Sequence, residues 1–136
     1  MTGTLVDTGF LVALFSRRDR LRRAARDHLA AHTYPLATVA PVIVETSFFL
    51  DARGKADLLE SILRGGLAVA ELPPDAYREI KTIVLKYADR DIDFTDAALI
   101  WFAGVSGCQS ILTVDERDFS VYRLKGNKRF ELVDWQ

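Results

Sequence analysis

The sequence has little of the residues that build metal sites from sulfur or imidazole. Its 136 residues include one cysteine, Cys108, and two histidines. A single cysteine cannot form a disulfide framework within the chain or a cysteine-rich zinc site, and it favours a reducing compartment. The chain also has no clear excess of either sign of charge. It has 18 basic and 19 acidic residues, and its formal net charge is -1. Any binding of nucleic acid would therefore depend on a local basic patch rather than on the overall charge.

No long apolar run divides the chain or anchors it. The N-terminal stretch MTGTLVDTGFLVALF is apolar, but it has no basic leading segment and is interrupted by Asp7, so it lacks the pattern of a signal peptide. It is also too short to span a bilayer. Since no repeat, low-complexity segment or linker rich in Gly, Pro or Ser occurs, we expect one domain over residues 1–136, in the cytoplasm and without membrane contact.

Short apolar segments alternate with longer amphipathic ones along the chain. This alternation predicts an α/β fold, in which a central, mainly parallel sheet of about five strands lies between two layers of helices. The predicted strands are residues 4–6, 36–38, 67–72, 110–114 and 130–133, the last at an edge of the sheet. The predicted helices are residues 9–16, 20–31, 41–52, 55–63, 75–88 and 96–105, the last with Thr95 as its N-cap. In such sheets, ligands bind at the carboxyl ends of the strands.

Two acidic residues stand alone in apolar surroundings. Asp7 is the one charged residue within residues 1–16, and it directly follows the first predicted strand. Glu45 is the one charged residue within residues 33–50, in the middle of PVIVETSFFL. Burying an unpaired carboxylate costs roughly several kcal/mol, even after the protein relaxes. A chain keeps such a group where a cation stabilises it or where it stays protonated.

Two further acids are predicted to reach the same place. Asp115 follows the predicted strand SILTV. Asp96 opens the helix DAALIWFAG, and its face also carries Leu99, Ile100 and Ala103 at spacings of three, four and seven residues. This spacing predicts that Asp96 points towards the edge of the core rather than freely into solvent. We therefore expect the four acids to meet in one cleft.

Four carboxylates without histidine or cysteine ligands suit a hard divalent cation. Mg²⁺ and Mn²⁺ prefer oxygen ligands, and Mg²⁺ commonly shares a phosphate of its substrate. Such an ion polarises a phosphoryl oxygen and activates water for in-line attack on a phosphodiester. The pattern therefore indicates a metal-dependent nuclease, and it leaves open whether one ion or two are bound.

Four segments of the chain together resemble one known family. In order they are LVDTGFLVALF, VIVETSFFL, DFTDAALIWFAG and ILTVDERDF, and they are similar to motifs of the PIN-domain ribonucleases, especially the VapC-type toxins of toxin–antitoxin systems. Each segment alone is a weak signal, but the four in this order extend over residues 5–119. The resemblance implies a PIN-like α/β/α fold, with Asp7, Glu45, Asp96 and Asp115 as the catalytic and metal-binding acids. It also implies Mg²⁺- or Mn²⁺-dependent cleavage of RNA, a homodimer, and a cognate antitoxin that covers the site.

Further residues are expected to support these acids. Thr8 and Thr113 occupy positions where the resembled family often has a hydroxyl. Asp93 is interpreted as a residue of a solvated loop that can support the site from outside it. Asp118 is an alternative or additional fourth ligand, and Asp115 is preferred over it because Asp115 lies nearer the strand end.

The arginine run RRDRLRR, with Arg26 after it, is the clearest basic patch. Arg18, Arg22 and Arg26 recur every four residues and are expected on one face of a helix. They either face solvent, which is the commoner role of a charge run, or contact RNA phosphates. The sequence does not decide between these roles.

Other interpretations stay open at this point. Asp7 and Asp96 could cap or begin helices, and Asp115 could belong to a turn. A catalytically inactive PIN-fold interaction module and a housekeeping RNA-processing nuclease are the alternatives to a toxin. A phosphoacceptor protein with Asp7 as nucleophile is disfavoured, because acid phosphatases of that kind need a second Asp at the position that Gly9 occupies.

Overall fold

A computed structural model describes residues 3–136, and its centre is a five-stranded parallel sheet. The strands of this sheet are β1 (Thr4–Val6), β2 (Leu36–Val39), β3 (Ala68–Ala70), β4 (Ser110–Leu112) and β7 (Glu131–Leu132). Two short strands, β5 (Arg123–Leu124) and β6 (Lys128–Arg129), form a separate antiparallel ribbon.

Helices connect these strands. The α-helices of the described residues are α1 (Thr8–Phe15), α2 (Arg22–Ala31), α3 (Ala40–Ser47), α4 (Ala52–Leu63), α5 (Ala76–Lys86), α6 (Phe94–Ser106) and α7 (Glu116–Phe119). Short 3-10 helices are formed by Ala88–Arg90 and Lys125–Asn127. None of the helices within residues 3–136 is long and apolar enough to cross a membrane.

The strand order across the sheet is β3-β2-β1-β4-β7, so β1 lies at the centre and β7 at an edge, as predicted for residues 130–133. Leu5 of β1 pairs with Ala37 of β2 on one side and with Ile111 of β4 on the other. Consecutive residues of a strand point to opposite faces of the sheet. Because Leu5 and Val6 are both fully buried, both faces of the central strand are covered, which confirms the predicted α/β/α layers.

Helix α3 ends earlier than the sequence predicted. It has Pro41 in its first turn, as expected, but it stops at Ser47 rather than near residue 52. The backbone N–H groups of residues 48–50 donate to carbonyls three residues earlier, which tightens the end of the helix. Asp51 then begins α4, because its carboxylate accepts a hydrogen bond from the N–H of Gly54 at 2.8 Å. The boundary between the two predicted helices, 41–52 and 55–63, therefore lies earlier in the chain than the sequence predicted.

Asp93, not Thr95, caps α6. The extended backbone of Asp93 (φ -78°, ψ 163°) lets its carboxylate accept a hydrogen bond from the N–H of Asp96 at 2.8 Å. The helix therefore starts at Phe94, and the prediction of Thr95 as N-cap was wrong. Gly107 ends the helix as expected, with a φ of 74° that favours glycine.

Trp135 fixes the end of β4. Its indole N–H donates a hydrogen bond to the carbonyl of Thr113 at 3.0 Å. Its ring packs edge-on against Phe10 of α1, with 4.7 Å between the ring centroids. These contacts join the helix that follows β1 to the segment that follows β4.

Gly9 brings α1 against that same segment. A Cβ atom at position 9 would lie 2.2 Å from Cγ2 and 3.3 Å from Cβ of Val114. The first distance is far below the 3.5–4.0 Å at which carbon atoms attract each other. Only glycine therefore fits here while Val114 keeps its place, and this close approach keeps the ends of β1 and β4 together.

We expect Gly9→Ala to lower the free energy of unfolding by about 1–3 kcal/mol, the usual cost of adding a methyl group to packed space. Without the clash, alanine would be the better helix former. Val114→Ala should have little effect alone, because Val114 is 42% exposed, and it should restore most of the stability in the double variant. Urea unfolding of the wild type, the two single variants and the double variant measures the free energy of unfolding of each. Equal losses of stability in Gly9→Ala and in the double variant would contradict the expectation.

Candidate active site

The carboxyl ends of β1 and β4 open into a cleft of about 590 Å³. Because β1 and β4 are neighbours in the sheet, the residues that follow them, Asp7 and Thr113, lie side by side. The acidic residues that line the cleft are Asp7, Asp19, Glu45, Asp91, Asp93, Asp96, Asp115 and Asp118. The structure therefore brings the four predicted acids together, along with both acids that were expected to support them.

Asp7 is buried, with 7% of its surface exposed. One carboxylate oxygen accepts a hydrogen bond from the N–H of Thr8 at 2.7 Å, and the other accepts one from the hydroxyl of Thr113 at 2.9 Å. Asp7 thus caps α1 and lines the cleft at the same time. Burial, and after it the charges of Glu45 and Asp93, raise the pKa of Asp7 to about 6, although its two hydrogen bonds act in the opposite direction.

Asp96 is held by Tyr122, a residue that the sequence did not single out. The hydroxyl of Tyr122 donates a hydrogen bond to Oδ2 of Asp96 at 2.8 Å. Burial, followed by the charge of Asp7, raises the pKa of Asp96 to about 8, and the hydrogen bond from Tyr122 offsets only part of this effect. No motif pointed to Tyr122, because an aromatic residue in a segment that mixes apolar and charged residues has the pattern of an ordinary core residue.

Glu45 reaches the cleft from α3. The hydroxyl of Thr95, in the first turn of α6, donates a hydrogen bond to Oε2 of Glu45 at 3.1 Å. Thr95 therefore orients an acid of the cleft instead of capping its own helix. Its position directly before Asp96 is the signal from which this role could have been predicted.

Asp115 and Asp118 lie together after β4. Oδ1 of Asp115 accepts a hydrogen bond from the N–H of Asp118 at 3.2 Å and so caps α7. Carboxylate oxygens of Asp96, Asp115 and Asp118 lie within 4.8 Å of one another. Burial raises the pKa of Asp115. A hydrogen bond at 2.7 Å from Arg90 lowers the pKa of Asp118.

The two predicted hydroxyl residues, Thr8 and Thr113, both lie at the acids. The hydroxyl of Thr113 donates to Asp7 and accepts a hydrogen bond from the N–H of Asp115 at 2.9 Å, so it bridges the ends of two strands. The hydroxyl of Thr8 is buried and has no hydrogen-bond partner among the described residues. Thr8 itself is one of the residues that line the cleft.

The arginines of the cleft are not those that the sequence pattern favoured. Helix α2 begins at Arg22. Arg18 therefore lies before the helix, and the prediction that it shares a helix face with Arg22 and Arg26 was wrong. Arg22 and Arg26 line a separate groove, and their contact with RNA stays a prediction. Among the described residues, Arg20 and Arg90 are the basic side chains that line the cleft.

The sequence pattern of the PIN domain matches residues 4–125. The chain belongs to the PIN domain family. The matched PIN region includes β1, β4 and every acid of the cleft. The resemblance seen in the four sequence segments is thereby confirmed.

This PIN domain is similar to proteins from Mycobacterium tuberculosis and Klebsiella pneumoniae. Ribonuclease VapC26 of Mycobacterium tuberculosis (strain ATCC 25618 / H37Rv) is 27% identical over 133 residues, which are 95% of this chain and 98% of the relative. The crystal structure of Mycobacterium tuberculosis VapC20, described as a sarcin-ricin loop cleaving toxin, matches with a TM-score of 0.71 at 20% identity, over 84% of this chain and 91% of that chain. A toxin–antitoxin complex from Klebsiella pneumoniae matches with a TM-score of 0.66 at 18% identity, over 98% of each chain. These structural likenesses confirm the PIN fold.

The donor set of the cleft fits a divalent cation. Asp96, Asp115 and Asp118 offer oxygen ligands that are close enough to share one ion, and Asp7 lines the same cleft. Burial and neighbouring negative charges raise the pKa values of Asp7 and Asp96 to about 6 and about 8. A bound cation opposes both effects, because it favours the ionised form of each carboxyl group.

Without metal, the protein should become less stable as the pH rises from about 4 to about 8. An unfolded Asp titrates near about 3.9, whereas the folded pKa values are about 6 for Asp7 and about 8 for Asp96. Between these values the folded protein holds more protons than the unfolded chain, so the free energy of unfolding falls with rising pH.

Asp96→Asn tests this sign, because asparagine keeps an oxygen that accepts the hydrogen bond of Tyr122 but cannot ionise. In chelator at pH 8, the variant should be more stable than the wild type by on the order of 1 kcal/mol, and the gap should shrink at pH 5. Thermal unfolding at the two pH values measures both differences. A wild type that is the more stable protein at pH 8 would refute the expectation.

Proposed function

We propose that this chain is an endoribonuclease that depends on Mg²⁺ or Mn²⁺ and uses Asp7, Glu45, Asp96 and Asp115 as its catalytic acids. The observation that carries the proposal is the convergence of these four side chains, from two strand ends and two helices, on one cleft. The lining of the cleft contains neither histidine nor cysteine, which favours hard cations over zinc. The curated relative named as a ribonuclease supports RNA as the substrate.

When bound, the ion would supply a Lewis acid that polarises a phosphoryl oxygen and activates water. The chain's own residues would hold it, with Asp7, Glu45, Asp96 and Asp115 as ligands. Thr113 fixes the direction of the Asp7 carboxylate, and Tyr122 fixes that of Asp96. Partners of this kind orient ligands and typically change metal affinity or activity by about 10–100-fold when they are lost.

The similar proteins support a role for this nuclease as the toxin of a toxin–antitoxin pair. Both the curated relative and a solved structure carry the VapC name, and another solved structure is a toxin–antitoxin complex. We therefore propose a cognate antitoxin as partner and action on RNA in the cytoplasm. We also propose a homodimer, since Val44, Phe48 and Phe49 at the end of α3 are 57%, 78% and 63% exposed, and large exposed apolar side chains favour a protein contact.

Two charge-removing substitutions test the nuclease. Asp7→Asn and Glu45→Gln keep the shape of the side chain and one of its two acceptor oxygens, and each removes one negative charge. We expect each to reduce metal-dependent RNA cleavage by more than about 100-fold. The loss of a residue that binds the metal should reduce activity more than the loss of a residue that only orients a ligand. Cleavage of a mixed RNA substrate is followed in Mg²⁺, in Mn²⁺ and in chelator. Glu71→Gln, an exposed acid outside the cleft, is the matched control.

Several outcomes would count against this proposal. Cleavage that persists in chelator would exclude metal dependence. Equal cleavage by wild type and both variants would assign the activity to a contaminant. An inactive wild type on all RNAs would favour the inactive interaction module, and the variants' circular dichroism spectra would show whether each is folded.

The toxin role has its own test in growing cells. Expression of the chain alone should arrest growth, and co-expression with a small neighbouring open reading frame should restore it. Asp7→Asn should not arrest growth, because the arrest is expected to depend on cleavage. Light scattering of the purified Asp7→Asn protein would report whether it is a dimer. Normal growth on expression of an active wild-type nuclease would favour the housekeeping role instead.

A further inference from the structure

The charge of the cleft poses a problem for a substrate that is a polyanion. The cleft is lined by eight acidic side chains and by two basic ones, Arg20 and Arg90. A single divalent ion leaves most of this negative charge in place. Phosphate groups of RNA would be repelled unless cationic side chains meet them, since contacts of lysine and arginine with phosphate dominate the affinity of nucleic-acid binding.

Arg90 is placed at the acids by a short and well-defined turn. It ends the 3-10 helix Ala88–Arg90, and the next residue, Asp91, has a left-handed backbone with a φ of 51°. The side chain reaches α7, where Nη2 donates a hydrogen bond to Oδ1 of Asp118 at 2.7 Å. Asp118 in turn lies against Asp96 and Asp115. Arg90 therefore holds a positive charge at the edge of the group of carboxylates that suits a metal ion.

The guanidinium of Arg90 keeps most of its donors free. It has five N–H donors in a planar fork, and the bond to Asp118 is its one side-chain hydrogen bond within residues 3–136. About one third of the side chain is exposed, as is about 38% of that of Asp118. Ion pairs with this exposure contribute little to stability. The ion pair of Arg90 and Asp118 therefore contributes little to the stability of the fold. The parallel N–H groups of the Arg90 guanidinium, in contrast, suit the oxygens of a phosphate.

We propose that Arg90 contacts a phosphate of the RNA at the cleavage site, and that Asp118 is the positioning residue that holds Arg90 there rather than a metal ligand. This inference rests on the proposed function, because it takes RNA as the substrate. Asp115 has no arginine partner among the described residues, so its carboxylate can bind a cation without competition. One oxygen of Asp118 is already bound to a guanidinium, whose charge repels a second cation.

Binding of RNA without cleavage tests the role of Arg90. The full chain is titrated into a fluorescein-labelled single-stranded RNA in Ca²⁺, and a gel at the end of each titration verifies that the RNA is intact. Arg90→Gln should raise Kd by about tenfold and lower the slope of log Kd against log salt by about 0.7, the value for one lost phosphate contact on a single strand. Arg90→Lys should be intermediate, because it keeps the charge but not the planar fork.

Arg117→Gln is the matched control, since Arg117 is exposed on α7 beside Asp118 but does not line the cleft. It should change Kd by less than about twofold, as expected for a surface charge outside the contact. If Arg117→Gln weakens binding as much as Arg90→Gln does, the effect is one of general charge and the proposal is wrong.

Metal binding separates contact with RNA from a merely structural role. In calorimetric titrations with Mn²⁺ and no RNA, Arg90→Gln should bind the ion as tightly as the wild type or more tightly, because a nearby positive charge is lost. A structural role would instead weaken binding of both RNA and Mn²⁺. Asp118→Asn should keep the affinity for Mn²⁺ within about threefold, whereas Asp115→Asn should lose at least about tenfold.

The results distinguish failure of this inference from failure of the proposed function. If the wild type binds RNA and Arg90→Gln binds it equally well, or if Asp118→Asn loses Mn²⁺ as completely as Asp115→Asn does, the assignment of Arg90 and Asp118 is wrong while the nuclease proposal stands. If the wild type binds Mn²⁺ but no RNA, both are overturned. Weaker RNA binding with undiminished Mn²⁺ binding in Arg90→Gln supports the inference.

Discussion

The pairing of β1 with β4 is the constraint on which the site depends. Val6 and Leu112 are the last aligned residues of the two strands, so Asp7 and Thr113 follow at the same level of the sheet. The hydroxyl of Thr113 then donates to Asp7 and accepts from the backbone of Asp115. A shift of the register by one residue would turn Thr113 to the other face of the sheet and separate all three groups.

The same geometry concentrates negative charge where water is scarce. Asp7 and Asp96 are held away from solvent, and neighbouring carboxylates raise the free energy of ionising each of them. Hydroxyl groups of threonine and tyrosine reduce this penalty without adding charge, and Arg90 is the one cation that touches an acid of the group in the described residues. The cleft is therefore arranged to be stable only when cations or protons occupy it, which is the condition expected of a site that binds metal.

The sequence predicted the parts of this site that local patterns determine. Asp7 and Glu45 stand alone among apolar residues, and a buried charge needs a partner, so their importance follows from composition alone. The order of strands and helices also follows from hydrophobic periodicity, and the structure confirms it. The boundaries followed less well. The predicted helix 41–52 ran past Asp51, which caps α4, and Asp93 competes as an N-cap with Thr95, which is equally suited by type.

Such local patterns do not predict contacts between residues that lie far apart in the sequence. Tyr122 reaches Asp96 over 26 residues and Arg90 reaches Asp118 over 28, so the tertiary fold rather than the local sequence determines which side chains meet. An aromatic residue in a segment that mixes apolar and charged residues, and an arginine in a charged loop, have nothing in their spacing that distinguishes them. The arginines show the opposite error. Their spacing predicted one shared helix face, but Arg18 lies before the helix begins.

The distance along the chain between Asp7 and Thr113 has a consequence for how the protein is made. These residues are 106 positions apart, and a ribosome delivers the N-terminal part of a chain first. During synthesis, β1 is therefore made long before its neighbour β4, and Asp7 is made long before Thr113, whose hydroxyl orients it. The cleft remains incomplete until β4 has left the exit tunnel. A chain with this topology therefore completes its cleft only after β4 and the acids that follow it have been synthesised.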